Sequence, residues 1–437
     1  MVLSLKYSRP SYVDKDEFRR RDSDLSLESD GSFVSGPSER LSGIPDALTF
    51  DRIINGGTCP PCTIRDFMNY LVYIEHAAEN LQFFLWYKDY VKRFNEAPES
   101  DTALAPEWTP AMEEETAAKI KRDAAEKNKQ ETPVAAAIFK GTDFEKQVEV
   151  ILESKDPFGT PPPSSAGGCA PSVLSGSQAT TQRTQASDAF TAAGAKQPFT
   201  IQPFRSEINR VISTYLISDA PRQLNLSARE QKAIVQALSY TTHPSALRTL
   251  AHGIEATLRR QAHPNFIRWT ICNGNPARVW FARGLGVGTI ALCTLGAIAL
   301  TLSRAGRGWR ALFAVGWVLG IATLITAVKG MCVVLHGMHH RHVRPWELFV
   351  DDGEGEVKGQ QSFESFGSVN SYENEPWVIR YDRRNIVRKV FDREVWIQEP
   401  ALRQIQDTIF LQSMLCAVVG AGVLTAVFVA VPRGGYF

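Results

Sequence analysis

Apolar positions recur at helical spacing in two separate blocks of the chain, and then give way to long runs without any charge. In the first block Phe67, Leu71, Ile74 and Ala78 mark one helix, and Leu81, Phe84 and Leu85 open a second. The second helix adds Phe83, Trp86, Tyr87, Tyr90 and Phe94, an aromatic stripe that predicts core. Thr63 with Asp66 three residues on supplies an N-cap for the first helix. In the later block Phe204, Ile208, Val211, Ile212 and Tyr215 share one face. A capping box of Ser227 and Glu230 starts a helix with Ile234, Val235 and Leu238 inward. Pro244 starts another, lined by Leu247, Leu250, Ile254 and Leu258. No strand-like alternation appears in the later block, so the expected fold is all-α.

The polar positions divide these blocks. Residues 1–40 have no apolar periodicity and read as a disordered tail. Residues 41–97 and 198–272 are the two halves of the expected bundle. Residues 98–197 read as a low-complexity insertion, helical in part at best, because the Pro-, Ser- and Gly-rich stretch from 157 cannot bury enough apolar surface to offset ordering entropy.

Three uncharged runs follow, predicting membrane helices at about 284–303, 311–335 and 409–431. At 1.5 Å rise per residue, about 20 apolar residues span the hydrocarbon core. Trp280, Trp309 and Trp346 lie at their flanks, where interfacial aromatics are expected. Arginines are dense before the first run and across residues 339–405. The positive-inside tendency therefore predicts a cytosolic N-terminal block, a cytosolic and mostly flexible 339–405 loop, and an external C-terminus.

Charge narrows the choice of partners. A net charge of +1 and a pI near 7.6 leave no global field for nucleic acid, so none is expected as a partner; the lipid bilayer is. The seven cysteines are scattered and odd in number, which is no disulfide framework. Cys59-Pro60-Pro61-Cys62 permits a redox or zinc reading, yet no second ligand pair or βαβ pattern accompanies it, and a rigid lead-in turn is the simpler reading. His336, His339 and His340 share a helix face past the second apolar run, with His342 close by. No carboxylate or thiolate is placed to finish a metal site except Cys332, so a juxtamembrane interface is the simpler reading and neither metal nor cofactor is expected. Nucleophile-elbow, phosphate-loop and zinc-protease motifs are absent, and no catalytic residue is expected.

The pair Glu79-Asn80 carries the clearest functional question. Glu79 at a helix start suits the positive end of the dipole. Asn80 on the first turn is less favoured by helix propensity, so it is either a working residue or a local helix-start residue.

The block Asp66-Phe67-Met68-Asn69-Tyr70-Leu71, then Glu75-His76-Ala77-Ala78-Glu79-Asn80-Leu81-Gln82-Phe83 and Tyr87-Lys88-Asp89-Tyr90, resembles the RGS (regulator of G-protein signalling) domain. The later block ending in Pro264-Asn265-Phe266 looks like that domain's terminal helices. The whole arrangement is similar to the fungal bud-site-selection (axial budding) RGS-like membrane proteins, in which an interrupted RGS-type helical bundle precedes about three transmembrane helices. The resemblance implies a GTPase activator without an active site of its own, which binds the switch regions of a heterotrimeric Gα subunit. It implies that Glu79 and Asn80 belong to the Gα contact. The family often completes that face with an Asp and an Arg near the last helix; those places hold Gln261 and Asn265 here, so both charges are missing. The alternative it leaves is a non-catalytic scaffold or polarity landmark whose partner is another integral membrane protein.

Overall fold

The computed structural model describes residues 7–14, 43–139, 175–198, 201–218, 220–348, 376–434 and 436. The rest of the polar tail, the Pro-rich part of 140–174 and the acidic stretch 351–356 lie outside the described residues.

Helices dominate the described chain. They run α1 (Phe50–Ile54), α2 (Ile64–Tyr70), α3 (Ala78–Glu96), α4 (Glu99–Thr102), α5 (Pro110–Phe139), α6 (Ser175–Ala192), α7 (Arg205–Val211), α8 (Ala228–Tyr240), α9 (Arg248–Thr257) and α10 (His263–Ile271). Then come α11 (Pro276–Leu302), α12 (Phe313–Val328), α13 (Val333–Gly337), β1 (His340–His342), α14 (Pro345–Leu348), α15 (Pro376–Asp382), α16 (Ile386–Val390), β2 (Glu394–Trp396) and α17 (Pro400–Ala430). Both expected capping boxes form, Thr63 with Asp66 before α2 and Ser227 with Glu230 before α8.

The chain divides into two compact units, residues 82–254 and residues 1–81 with 255–437. Each unit is held by its own side-chain packing. In the 82–254 unit the aromatic stripe of α3 is core as expected. Phe83, Phe84, Tyr90 and Phe94 are buried, with Phe83 against Tyr215 and Tyr90 against Phe204. Trp86 and Arg93 both donate to Glu207, at 2.6–2.8 Å. Burial opposes ionisation of Glu207, but the hydrogen bonds from Arg93 and Trp86 outweigh it and hold its pKa below the ordinary value. The segment expected to be an insertion contributes to this core. Ala105, Trp108, Ile120, Ala186 and Phe190 are buried, α5 packs on α8, and α6 packs on α7 and α8. Few apolar residues suffice there: Ile120 sits on α5, Ala186 and Phe190 lie four apart on one face of α6, and Ala105 and Trp108 come from the link between α4 and α5.

In the other unit α2 packs on α10, with Phe67 and Tyr70 tilted against Phe266 at ring-centroid distances of 4.9 and 5.5 Å. Trp346 stacks on Tyr73 and Trp269, and Arg344 lies 3.5 Å over the Trp269 ring. Residues 339–348 and 376–405 are therefore structured, not a mostly flexible loop. Strands β1 and β2 pair antiparallel, His340 opposite Trp396 and His342 opposite Glu394, and Arg341 donates to Glu347 through its two terminal guanidinium nitrogens. Part of the expected disordered tail is also fixed: Arg9 donates to the carbonyls of Arg268 and Lys329, near the C-terminal ends of α10 and α12, where a cation is favoured.

Among the described residues three helices are long and apolar enough to cross a membrane: Pro276–Leu302, Arg307–Val328 and Pro400–Ala430. The second begins as a 3₁₀ turn, Arg307–Leu312, and stops at Val328, earlier than the expected 335. Gly330 has φ +82°, a left-handed conformation that ends the helix and that a side chain resists. Close approach of α11 and α12 depends on missing side chains. A Cβ on Gly286 would lie 3.0 Å from the Gly320 carbonyl oxygen, and one on Gly320 2.8 Å from Ile290. Trp317 fills the centre, fully buried with Ala297 and Ala421, stacked on Phe428 at 5.3 Å and donating to Thr294 Oγ1 at 3.1 Å. Arg310, also fully buried, donates to the carbonyls of Phe428 and Val431 at 2.8 and 2.7 Å. It closes the C-terminal end of α17, whose last carbonyls have no helical partner.

Candidate functional site

The start of α3 is shaped by what precedes it. After α2 the backbone widens into a π turn, Leu71–Glu75, and His76 then takes a left-handed conformation, φ 53°. The His76 ring contacts the Val72 carbonyl at 3.1 Å, and the Ala77 amide donates to Leu71. The chain thus turns sharply, buries Ala77, Ala78 and Leu81, and leaves Glu79 and Asn80 half-buried on the first turn of α3. Ile74 and His76 are exposed on the same corner. A carboxylate, an amide and an aliphatic side chain are thereby brought together at one turn.

The other two expected contact residues are internal. Gln261 is only 2 % exposed, sits in the π turn Leu258–Ala262, and donates its amide to Glu75. Burial and the adjoining Glu75 carboxylate push the Tyr70 phenol up. Gln261 therefore ties the last part of the bundle to the turn that leads into Asn80. Asn265 is equally buried and pairs with the backbone of Val13 in both directions, receiving its N–H at 2.9 Å and donating to its carbonyl at 2.8 Å. In this arrangement the four residues do not form one exposed face: Glu79 and Asn80 are reachable, while Gln261 and Asn265 serve internal hydrogen bonds.

The Cys59–Cys62 turn is structural. Cys62 is fully buried, and burial with the nearby Asp66 and Glu399 carboxylates pushes its thiol far up, away from the reactive thiolate. The Pro60 carbonyl accepts from the amides of Gln398 and Glu399, and Glu399 in turn accepts from the Cys59 amide, seating the turn at the start of α17.

A second cluster assembles around residues that the sequence left apart. His336 on α13, His339 in the following turn and Asp407 on α17 converge, with candidate ligand atoms all within 4.8 Å of one another. Burial holds His336 below the ordinary imidazole value; Asp407 opposes that and His339 adds to it. His340 and His342 turn elsewhere, His340 toward Glu394 at 3.9 Å and His342 onto Asn275. Asp407 had no local signal, being 68 residues beyond His339 in a stretch that reads only as the polar lead-in to an apolar run.

Comparison with protein-family models, with curated proteins and with solved structures returned no match to this chain.

Proposed function

We propose that this chain is a membrane-anchored regulator of G-protein signalling, similar to the fungal bud-site-selection proteins, that binds the switch regions of a Gα subunit and accelerates its GTP hydrolysis. The observation that carries the reading is the half-exposed Glu79-Asn80 pair, held at a helix start by the π turn and the left-handed His76. Such a module does no covalent chemistry. Gα carries its own arginine and its own water-positioning glutamine, and a partner that holds those segments still lowers the barrier by ordering them. Asn80 is the residue expected nearest that glutamine, with Glu79 bonding switch backbone amides. Three membrane-length helices support the setting, since they would hold the module at the bilayer, the plasma membrane in this reading, where lipid-anchored Gα also resides.

One observation favours a second reading, a non-catalytic scaffold or cortical polarity landmark that recruits another membrane protein. The amides of Gln261 and Asn265 are engaged inside the fold, which leaves the far side of the expected contact without its groups. Pull-down of the full chain in nanodiscs with Gα·GDP bound to aluminium fluoride separates the two. Retention by wild type and loss in Asn80→Ala is the expected result; no retention by wild type would remove Gα as the partner.

Orientation gives an independent check. A glycosylation acceptor appended at the C-terminus is expected to be modified and one at the N-terminus is not, because arginines crowd the other side. The reverse pattern would place Glu79 and Asn80 away from any Gα and overturn both readings.

A further inference from the structure

We propose that His336, His339 and Asp407 form a binding site for a divalent first-row transition ion, zinc in the first instance, with a fourth position open to water. His336 Nε2 and His339 Nδ1 approach the same oxygen, Asp407 Oδ1, at 3.6 and 3.9 Å. Both separations exceed hydrogen-bond reach. They are close to the spacing of ligand atoms around a metal, since tetrahedral zinc with bonds of about 2.0–2.1 Å sets neighbouring ligands about 3.4 Å apart. Two imidazoles and a carboxylate are also a donor set such ions favour over calcium or magnesium.

The surroundings distinguish this cluster from an ordinary surface ion pair. His336 is 93 % buried by side chain, packed on the Phe410 ring at 4.8 Å. The Nδ1 atoms of His336 and His339 are buried with no hydrogen-bond partner. For His339 this unsatisfied atom is the one that faces the carboxylate, and a bound cation would satisfy it. The backbone is arranged to match, because His339 sits at φ 53°, in the turn between α13 and β1 that brings its ring beside His336. Access is preserved: the side chains of His339 and Asp407 are 39 % and 42 % exposed, so an ion can enter and keep a water ligand.

The three residues also join elements far apart in sequence, α13 after the second apolar helix and the first turns of α17, so an ion here would pin the beginning of the third membrane-length helix to the short helix that follows the second. The inference is independent of any G-protein role.

The test uses the full chain, purified in detergent without a polyhistidine tag and stripped with chelator. Elemental analysis after zinc dialysis is expected to give one zinc per chain for wild type and for His340→Ala, whose ring faces Glu394. Asp407→Asn, which keeps the side-chain shape, and His336→Gln are expected to lose stoichiometric zinc. Added zinc should raise the thermal unfolding temperature of wild type and leave that of Asp407→Asn unchanged. Cobalt in place of zinc should give wild type, and not Asp407→Asn, the intense visible absorption of a four-coordinate site. Equal zinc uptake by wild type and Asp407→Asn, or loss of uptake in His340→Ala alone, overturns the assignment.

Discussion

Trp317→Ala is expected to destabilise the three-helix assembly by about 3–5 kcal/mol, the cost of removing a large buried ring that its neighbours cannot replace. Helices surrounded by lipid gain nothing from leaving water, so their association rests on packing and on a few interhelical hydrogen bonds. Trp317 supplies both. Its ring is fully buried between Ala297 and Ala421 and stacks on Phe428, and its indole N–H donates across to Thr294 on α11. Gly286 and Gly320 hold the α11 and α12 backbones at close approach beside it, and the Ala297 and Ala421 methyls that flank the ring are too short to fill the space it would leave. Leu319, two residues on, is 58 % exposed, and Leu319→Ala is expected to change little. Unfolding of the full chain in mixed micelles by increasing denaturing detergent measures both variants. A similar midpoint for Trp317→Ala and Leu319→Ala would contradict the packing described for α11, α12 and α17.

Much of this architecture was legible in the apolar pattern. The three long uncharged runs became α11, α12 and α17, and the aromatic stripe from Phe83 to Phe94 became core, because burial on one helix face leaves a period that a sequence displays. What stayed hidden depended on contacts between distant segments. Phe190 and Ala186 look like stray residues in a polar stretch, yet one narrow stripe is enough for α6 to pack. The early end of the second membrane-length helix turns on one backbone angle, the left-handed Gly330, within a run that is apolar throughout.

Side-chain roles were the least legible. Asn265 next to a terminal Phe reads as a surface amide, but its partner is Val13, in a segment with no pattern of its own. Likewise the histidines past the second apolar run lacked a carboxylate until α17 brought Asp407 to them. Arg310 lies in the short arginine-bearing stretch between the first two apolar runs, and only the returning end of α17 makes it a buried cap.

The position of Glu79 and Asn80 bears most on function. A helix-start amide that was only a local cap would, on replacement by Ala, cost about 0.5–2 kcal/mol of stability and leave Gα unaffected. An amide that contacts the glutamine of Gα would matter to binding of its transition-state form and to hydrolysis, and not to the fold. Asn80→Ala should therefore leave folding and helix content intact while removing activity. Single-turnover GTP hydrolysis by a fungal Gα, measured with the full chain in nanodiscs, tests this directly. Wild type is expected to accelerate the reaction and Asn80→Ala to return it to the rate of Gα alone. Identical rates for Gα alone, with wild type and with Asn80→Ala would contradict the GTPase-activating role.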